Sequence, residues 1–190
     1  LSTLSTTVVR GLAGGVAASV VSAAVLAGAA AADTAVFSDA RGDLDHGADI
    51  HRVRIVNTEH AVRVKVVHDN LVRSFRSGSS IRVYLDTDRS ERGPEYAFVG
   101  GTFEGSDYAL VRTDGWKLGR RVVRTPHMLT LDYAKDIAFI RVERGERFDP
   151  GAVRVAVKTG GEMTPDGQGA TNGVDWLGDR RELTPWVRRG

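Results

Sequence analysis

The sequence predicts an all-β protein: an antiparallel β-sandwich of jelly-roll or immunoglobulin-like type that follows an N-terminal signal peptide. Three observations lead there. Apolar and polar residues alternate with period two over most of the chain after Asp33, the pattern of strands with one buried face. Clusters of Gly, Pro, Asn and Asp interrupt these runs at the spacing of short strands joined by turns. No stretch after Asp33 carries an apolar stripe at helical spacing.

Arg10 is the only charged residue before Asp33. Behind it runs an apolar segment through Val16, Val20, Val21, Val25 and Leu26 to the small residues Ala30 and Ala32. One positive charge, an apolar stretch and a small-residue end form an export signal. Segment 1–32 is therefore expected to be removed, leaving a secreted single domain over 33–190. A retained membrane helix is the competing reading, since a bilayer needs roughly 20 apolar residues. The Ala and Gly content makes this stretch weakly hydrophobic and no cationic cluster follows it, so no stable membrane insertion is expected after cleavage.

The strands follow in order. Val53 and Ile55 alternate with Arg52 and Arg54, a polar turn runs from Asn57 to His60, and Val62, Val64 and Val66 alternate with Arg63 and Lys65. This is a hairpin with one buried face. Further runs are Ile81–Leu85, Glu95–Val99, Tyr108–Arg112, Met128–Leu131, Ile137–Val142 and Val153–Val157, about eight in all, as a sandwich requires. Segment 159–175, rich in Gly, Thr, Asp and Asn, reads as a long loop. Val174, Trp176 and Leu177 are expected to return to the core, and Thr184–Val187 to add a terminal edge strand.

The 190 residues suffice for one domain with a sizeable core. The chain has no cysteine, which excludes disulfides, a thiolate nucleophile and Cys-based zinc sites. A formal net charge of +2 gives no general attraction to nucleic acid, and no such partner is expected. His46, His51, His60, His68 and His127 form no metal-ligand motif. No Gly-x-Ser-x-Gly elbow or phosphate-binding glycine pattern occurs, so nothing marks the chain as an enzyme.

Four groups carry the candidate chemistry. Asp39, Asp43, Asp45 and Asp49 precede the first clear strand, and Asp39, Asp43 and Asp49 are the candidate ligands of a structural calcium, which takes several oxygen donors. Against this stands the commoner role of Asp in accepting backbone hydrogen bonds within turns. Asp86, Thr87, Asp88 and Glu95 form a second acidic group, read first as a hydrogen-bonded turn. Arg52, Arg54, Arg63 and Lys65, with Arg82, point outward from the first strands and are candidate contacts for an anionic polymer; a solvated face is the alternative. Trp116 and Trp176, with Trp186, are candidates for stacking on sugar rings, although aromatic residues more often close a core.

Several short motifs carry a resemblance. They are Phe37-Ser38-Asp39-Ala40-Arg41-Gly42-Asp43 with Ala48-Asp49-Ile50, Tyr84-Leu85-Asp86-Thr87-Asp88 with Gly93-Pro94-Glu95-Tyr96, Leu131-Asp132-Tyr133-Ala134-Lys135-Asp136, and the ending Val187-Arg188-Arg189-Gly190. Together they resemble a group of small secreted actinobacterial proteins. More distantly the pattern is similar to β-sandwiches of the DOMON and family-nine carbohydrate-binding-module type, some of which bind sugars, haem or calcium. Where members of the group often carry a Cys-Leu-Gly turn, this chain has Arg144-Gly145-Glu146-Arg147. The resemblance implies fold and export.

Two function classes follow as expectations. The first is a secreted, non-catalytic module binding carbohydrate or cell-wall polymer. The second is an extracellular structural or protein-interaction domain. Clustering of Trp116 and Trp176 with the acidic loops would favour the first, and their dispersal beside a long uncovered edge strand the second.

Overall fold

The computed structural model describes residues 33–42, 44, 48–163 and 170–190. The expected signal peptide, 1–32, lies outside them. Among the described residues are twelve strands in two antiparallel sheets and no α-helix. The first sheet runs β1 (Asp33–Ser38), β2 (Asp49–Asn57), β3 (Ala61–Asp69), β9 (Ile137–Glu143) and β8 (His127–Asp132) from edge to edge. The second runs β11 (Ala170–Trp176), β10 (Ala152–Met163), β4 (Ser80–Asp86), β5 (Tyr96–Gly101), β6 (Tyr108–Asp114) and β7 (Lys117–Val122). The two-residue β12 (Val187–Arg188) pairs with the start of β10. The predicted β-sandwich is the observed fold.

The alternation decides which side chains meet. Val53 and Ile55 of β2 lie opposite Val66 and Val64 of β3, and Val64 lies opposite Ile140 of β9. In the other sheet Val83 sits between Val157 of β10 and Phe98 of β5. All eight are buried in one cluster between the sheets. Each fully buried Val, Ile or Phe contributes roughly 1.5–3 kcal/mol through removal of apolar surface from water.

The structure differs from the sequence reading in three places. Asp33–Ser38 forms strand β1, with Ala35 and Phe37 packed on the core. Lys117–Val122 forms edge strand β7, whose Lys117, Gly119, Arg120 and Arg121 face solvent and leave no alternation to read. Segment 159–175 is no simple loop: β10 continues to Met163 and pairs with β11. A register shift between Gly160 and Glu162 accommodates Gly161 at φ +88°, a bulge that glycine permits and that masks the strand period. The expected terminal strand is present but short. Ahead of it the Thr184 amide donates to the Val155 carbonyl at 2.8 Å, and its Oγ1 accepts from the Val155 amide at 3.0 Å.

Candidate functional site

The outer face of the seven-stranded sheet carries a second apolar cluster. On β4, Val83 and Leu85 point inward, so Tyr84 and Arg82 point outward. Tyr84 lies between Ala156 on β10 and Ala97 on β5. These small neighbours leave room for larger rings from either side. Trp176 comes from β11, directly opposite Lys158. Trp116 comes from the β6–β7 turn, where Gly115 at φ +54° takes the first central position of a two-residue turn, as type II′ geometry requires. Gly93 packs on this turn, and a Cβ there would stand 3.3 Å from the Gly115 Cα.

The three rings form one cluster. Trp116 meets Tyr84 edge-on at 5.0 Å between centroids, Trp176 lies nearly parallel to Tyr84 at 6.1 Å, and the two indoles are 6.0 Å apart. Tyr84 is buried while both indoles are half-buried. The tryptophans thus close a small outer core and also present surface to solvent.

Above the rings lies a concave site of about 520 Å³, lined by Tyr84, Trp116, Trp176 and Val174 together with Arg82, Lys158, Arg180 and Arg181. Arg82 and Lys158 face each other across β4 and β10; Arg180 and Arg181 stand on the turn after β11. The Lys158 ammonium lies 5.7 Å from the Trp176 ring centre. Partial burial lowers its pKa from the ordinary lysine value, and the Coulomb repulsion of Arg82 and Arg180 lowers it further. No carboxylate lines the site, and none of its four cations makes an ion pair among the described residues. A second concavity, lined by Ser80, Val99, Asp107 and Ala109 with Gly100 and Gly101, shares Arg82 with the first. Farther along the face, Trp186 lies between the guanidinium groups of Arg89 and Arg154, at 4.6 and 4.9 Å.

No protein-family model and no curated protein matches the chain. The arrangement of its own residues therefore carries the functional argument.

That arrangement divides the sequence-predicted ligand residues. Trp116 and Trp176 come together. Arg52, Arg54, Arg63 and Lys65 lie instead on the outer face of the five-stranded sheet, across the core, with Arg54 opposite Lys65 and Arg63 opposite Arg141. Arg141 pairs with Glu143 at 3.1 Å, while the other four make no ion pair among the described residues. Arg82, grouped with them in the sequence, belongs to the opposite face because its strand enters the other sheet.

The acidic groups serve other ends. Asp49 Oδ2 accepts the Gly42 amide at 2.9 Å and lies 3.0 Å from His51 Nε2. Asp39 Oδ1 accepts the Gly178 amide at 3.1 Å. Asp43 and Asp45 lie outside the described residues, within which no three His, Asp or Glu side chains are grouped to hold a metal. Glu95 Oε2 accepts from the Thr87 amide and hydroxyl at 2.6 and 2.8 Å and from the Asp88 amide at 3.2 Å, which makes the second acidic group a turn. Asp86 turns away from it and accepts two Arg154 N–H groups on one oxygen, at 2.7 and 2.8 Å. Burial raises the Asp86 pKa, and the Arg154 contact offsets part of that rise.

Tyr84, Lys158, Arg180 and Arg181 are the site residues that sequence reasoning missed. An outward Tyr in the middle of a strand, and a Lys between Val157 and the next strand turn, were readable from the alternation. The Arg180–Arg181 pair had no such signal. Among the described residues no helix is long and apolar enough to cross a membrane.

Proposed function

We propose that this chain is an exported, non-catalytic β-sandwich that binds carbohydrate, as a cell-wall polymer, on the outer face of its seven-stranded sheet. The observation that carries this reading is the convergence of Trp116, Trp176 and Tyr84 under a cation-rimmed concave site. Exposed indole surface accepts the C–H face of a sugar ring, and its size falls within the range of small-ligand sites. The lining holds aromatic rings and cations and no carboxylate or imidazole, a composition suited to holding a ligand. The alternative of protein recognition by strand addition is disfavoured at edge strand β7, where Lys117, Arg120 and Arg121 discourage pairing with another chain; β1, β8 and β11 are the other edges.

Trp116→Ala and Trp176→Ala variants test the reading by affinity electrophoresis through gels containing cell-wall polysaccharides. Each is expected to weaken retardation by about tenfold, the loss of one ring–sugar contact worth roughly 1.4 kcal/mol. Thermal unfolding run in parallel separates this from damage to the outer core. Variants that stay folded and retard like the parent protein would remove the proposal.

A further inference from the structure

Resting on that reading, we infer that the ligand is an anionic glycan, its charged groups seated among Arg82, Lys158, Arg180 and Arg181 while a ring packs on the indoles. The argument turns on what a neutral ligand would do. Filling the site strips water from four cations that have no carboxylate partner among the described residues, and a neutral sugar returns no charge to compensate. A carboxylate or phosphate returns that charge, and guanidinium groups take either in paired hydrogen bonds. The crowding is already felt without ligand, since Arg82 and Arg180 both depress the Lys158 ammonium. An entering anion relieves that repulsion.

The site also favours a chain over a single sugar. Arg82 lines both concavities, so an anion held there lies at their junction, while Asp107 keeps the second concavity from being wholly cationic. A single-stranded nucleic acid fits less well. Its bases need successive open ring faces, whereas Trp116 is edge-on to both Tyr84 and Trp176, at interplanar angles of 65° and 73°.

The test is calorimetric titration of the full chain with four probes: polygalacturonate, its fully methyl-esterified form, poly(glucosyl phosphate) and oligo(dT). Polygalacturonate or poly(glucosyl phosphate) is expected to bind at least tenfold more tightly than the methyl ester. The better of the two identifies carboxylate or phosphodiester as the preferred anion. That binding should fall steeply with added salt. Arg180→Gln with Arg181→Gln, both on an exposed turn, should weaken it about tenfold without moving the melting temperature. Methyl ester bound as tightly as both anionic polymers would overturn the inference and leave the carbohydrate reading standing. Absence of binding to every probe would remove both. Tighter binding of oligo(dT) than of either anionic polymer, or unchanged affinity in the Arg180/Arg181 variant, would also overturn the inference.

Discussion

His68 shows what burial does to a titratable side chain in this core. Its Nδ1 lies 3.2 Å from the Ala48 carbonyl and its Nε2 is buried with no partner among the described residues, which suits a neutral ring that donates through Nδ1. Burial is the main reason its pKa drops to about 4 from 6.5; Asp49 and the Ala48 carbonyl pull it up, and His51 pushes it down. The folded value lies below the unfolded one, so the unfolded chain binds the extra proton between pH 6.5 and 4. Stability contributed by neutral His68 is full above pH 6.5 and is lost as pH falls toward 4, by about 3 kcal/mol. Urea unfolding at pH 7 and pH 4 should show that loss in the parent and a smaller one in His68→Gln; equal losses would contradict it. Asp86 and Arg154 give a second prediction. Arg154→Leu strands a fully buried carboxylate, at a cost of about 3 kcal/mol at pH 7. The cost should shrink in acid as the carboxyl group protonates, and a pH-independent cost would argue against the pairing. At this scale the sequence was informative where side chains alternate: Val53, Ile55, Val83 and Val157 could be assigned to the core, and Arg52 and Arg54 to the surface. The same alternation runs on from Val66 to buried His68; what it does not supply is the Ala48 carbonyl that meets Nδ1, twenty residues earlier in the chain.

Strands were legible to the degree that they have one wet and one dry face. β2, β3, β4, β9 and β10 meet that condition and were all anticipated. β7 has almost no dry face, and the β10–β11 hairpin hides its period behind Gly160, Gly161 and Gly173. Gly161 lies where this hairpin passes close to the Gly78–Ser79 backbone. A Cβ there would stand 2.3 Å from the Gly78 carbonyl oxygen and 2.8 Å from the Ser79 Cα, and φ +88° is a conformation that other residues rarely adopt. Gly161→Ala is expected to destabilise the protein by about 3 kcal/mol, from strain and backbone displacement together. Chemical denaturation measures it, and a variant within 0.5 kcal/mol of the parent, a change of the size usual for neutral surface substitutions, would show that the close approach is not a constraint. The same hairpin carries Trp176, so the bulge also bears on the site.

The molecule as a whole presents two cationic faces on opposite sides of one core. One is the Arg52, Arg54, Arg63 and Lys65 array on the five-stranded sheet; the other is the concave aromatic site on the seven-stranded sheet. Sequence reading assigned ligand residues to both without separating them, because alternation tells whether a side chain points out but not from which sheet. Strand order, which brings β4 beside β10 and sends β3 beside β9, supplies that distinction. The proposed binding lies on the aromatic face. Its most direct test is a two-dimensional amide and indole NMR spectrum recorded while polygalacturonate or poly(glucosyl phosphate) is added. The indole N–H signals of Trp116 and Trp176 and the amides of Arg82, Lys158 and Arg180 should shift together, with those of Arg54 and Lys65 unmoved. Shifts confined to Arg52, Arg54, Arg63 and Lys65, with both indoles still, would contradict it.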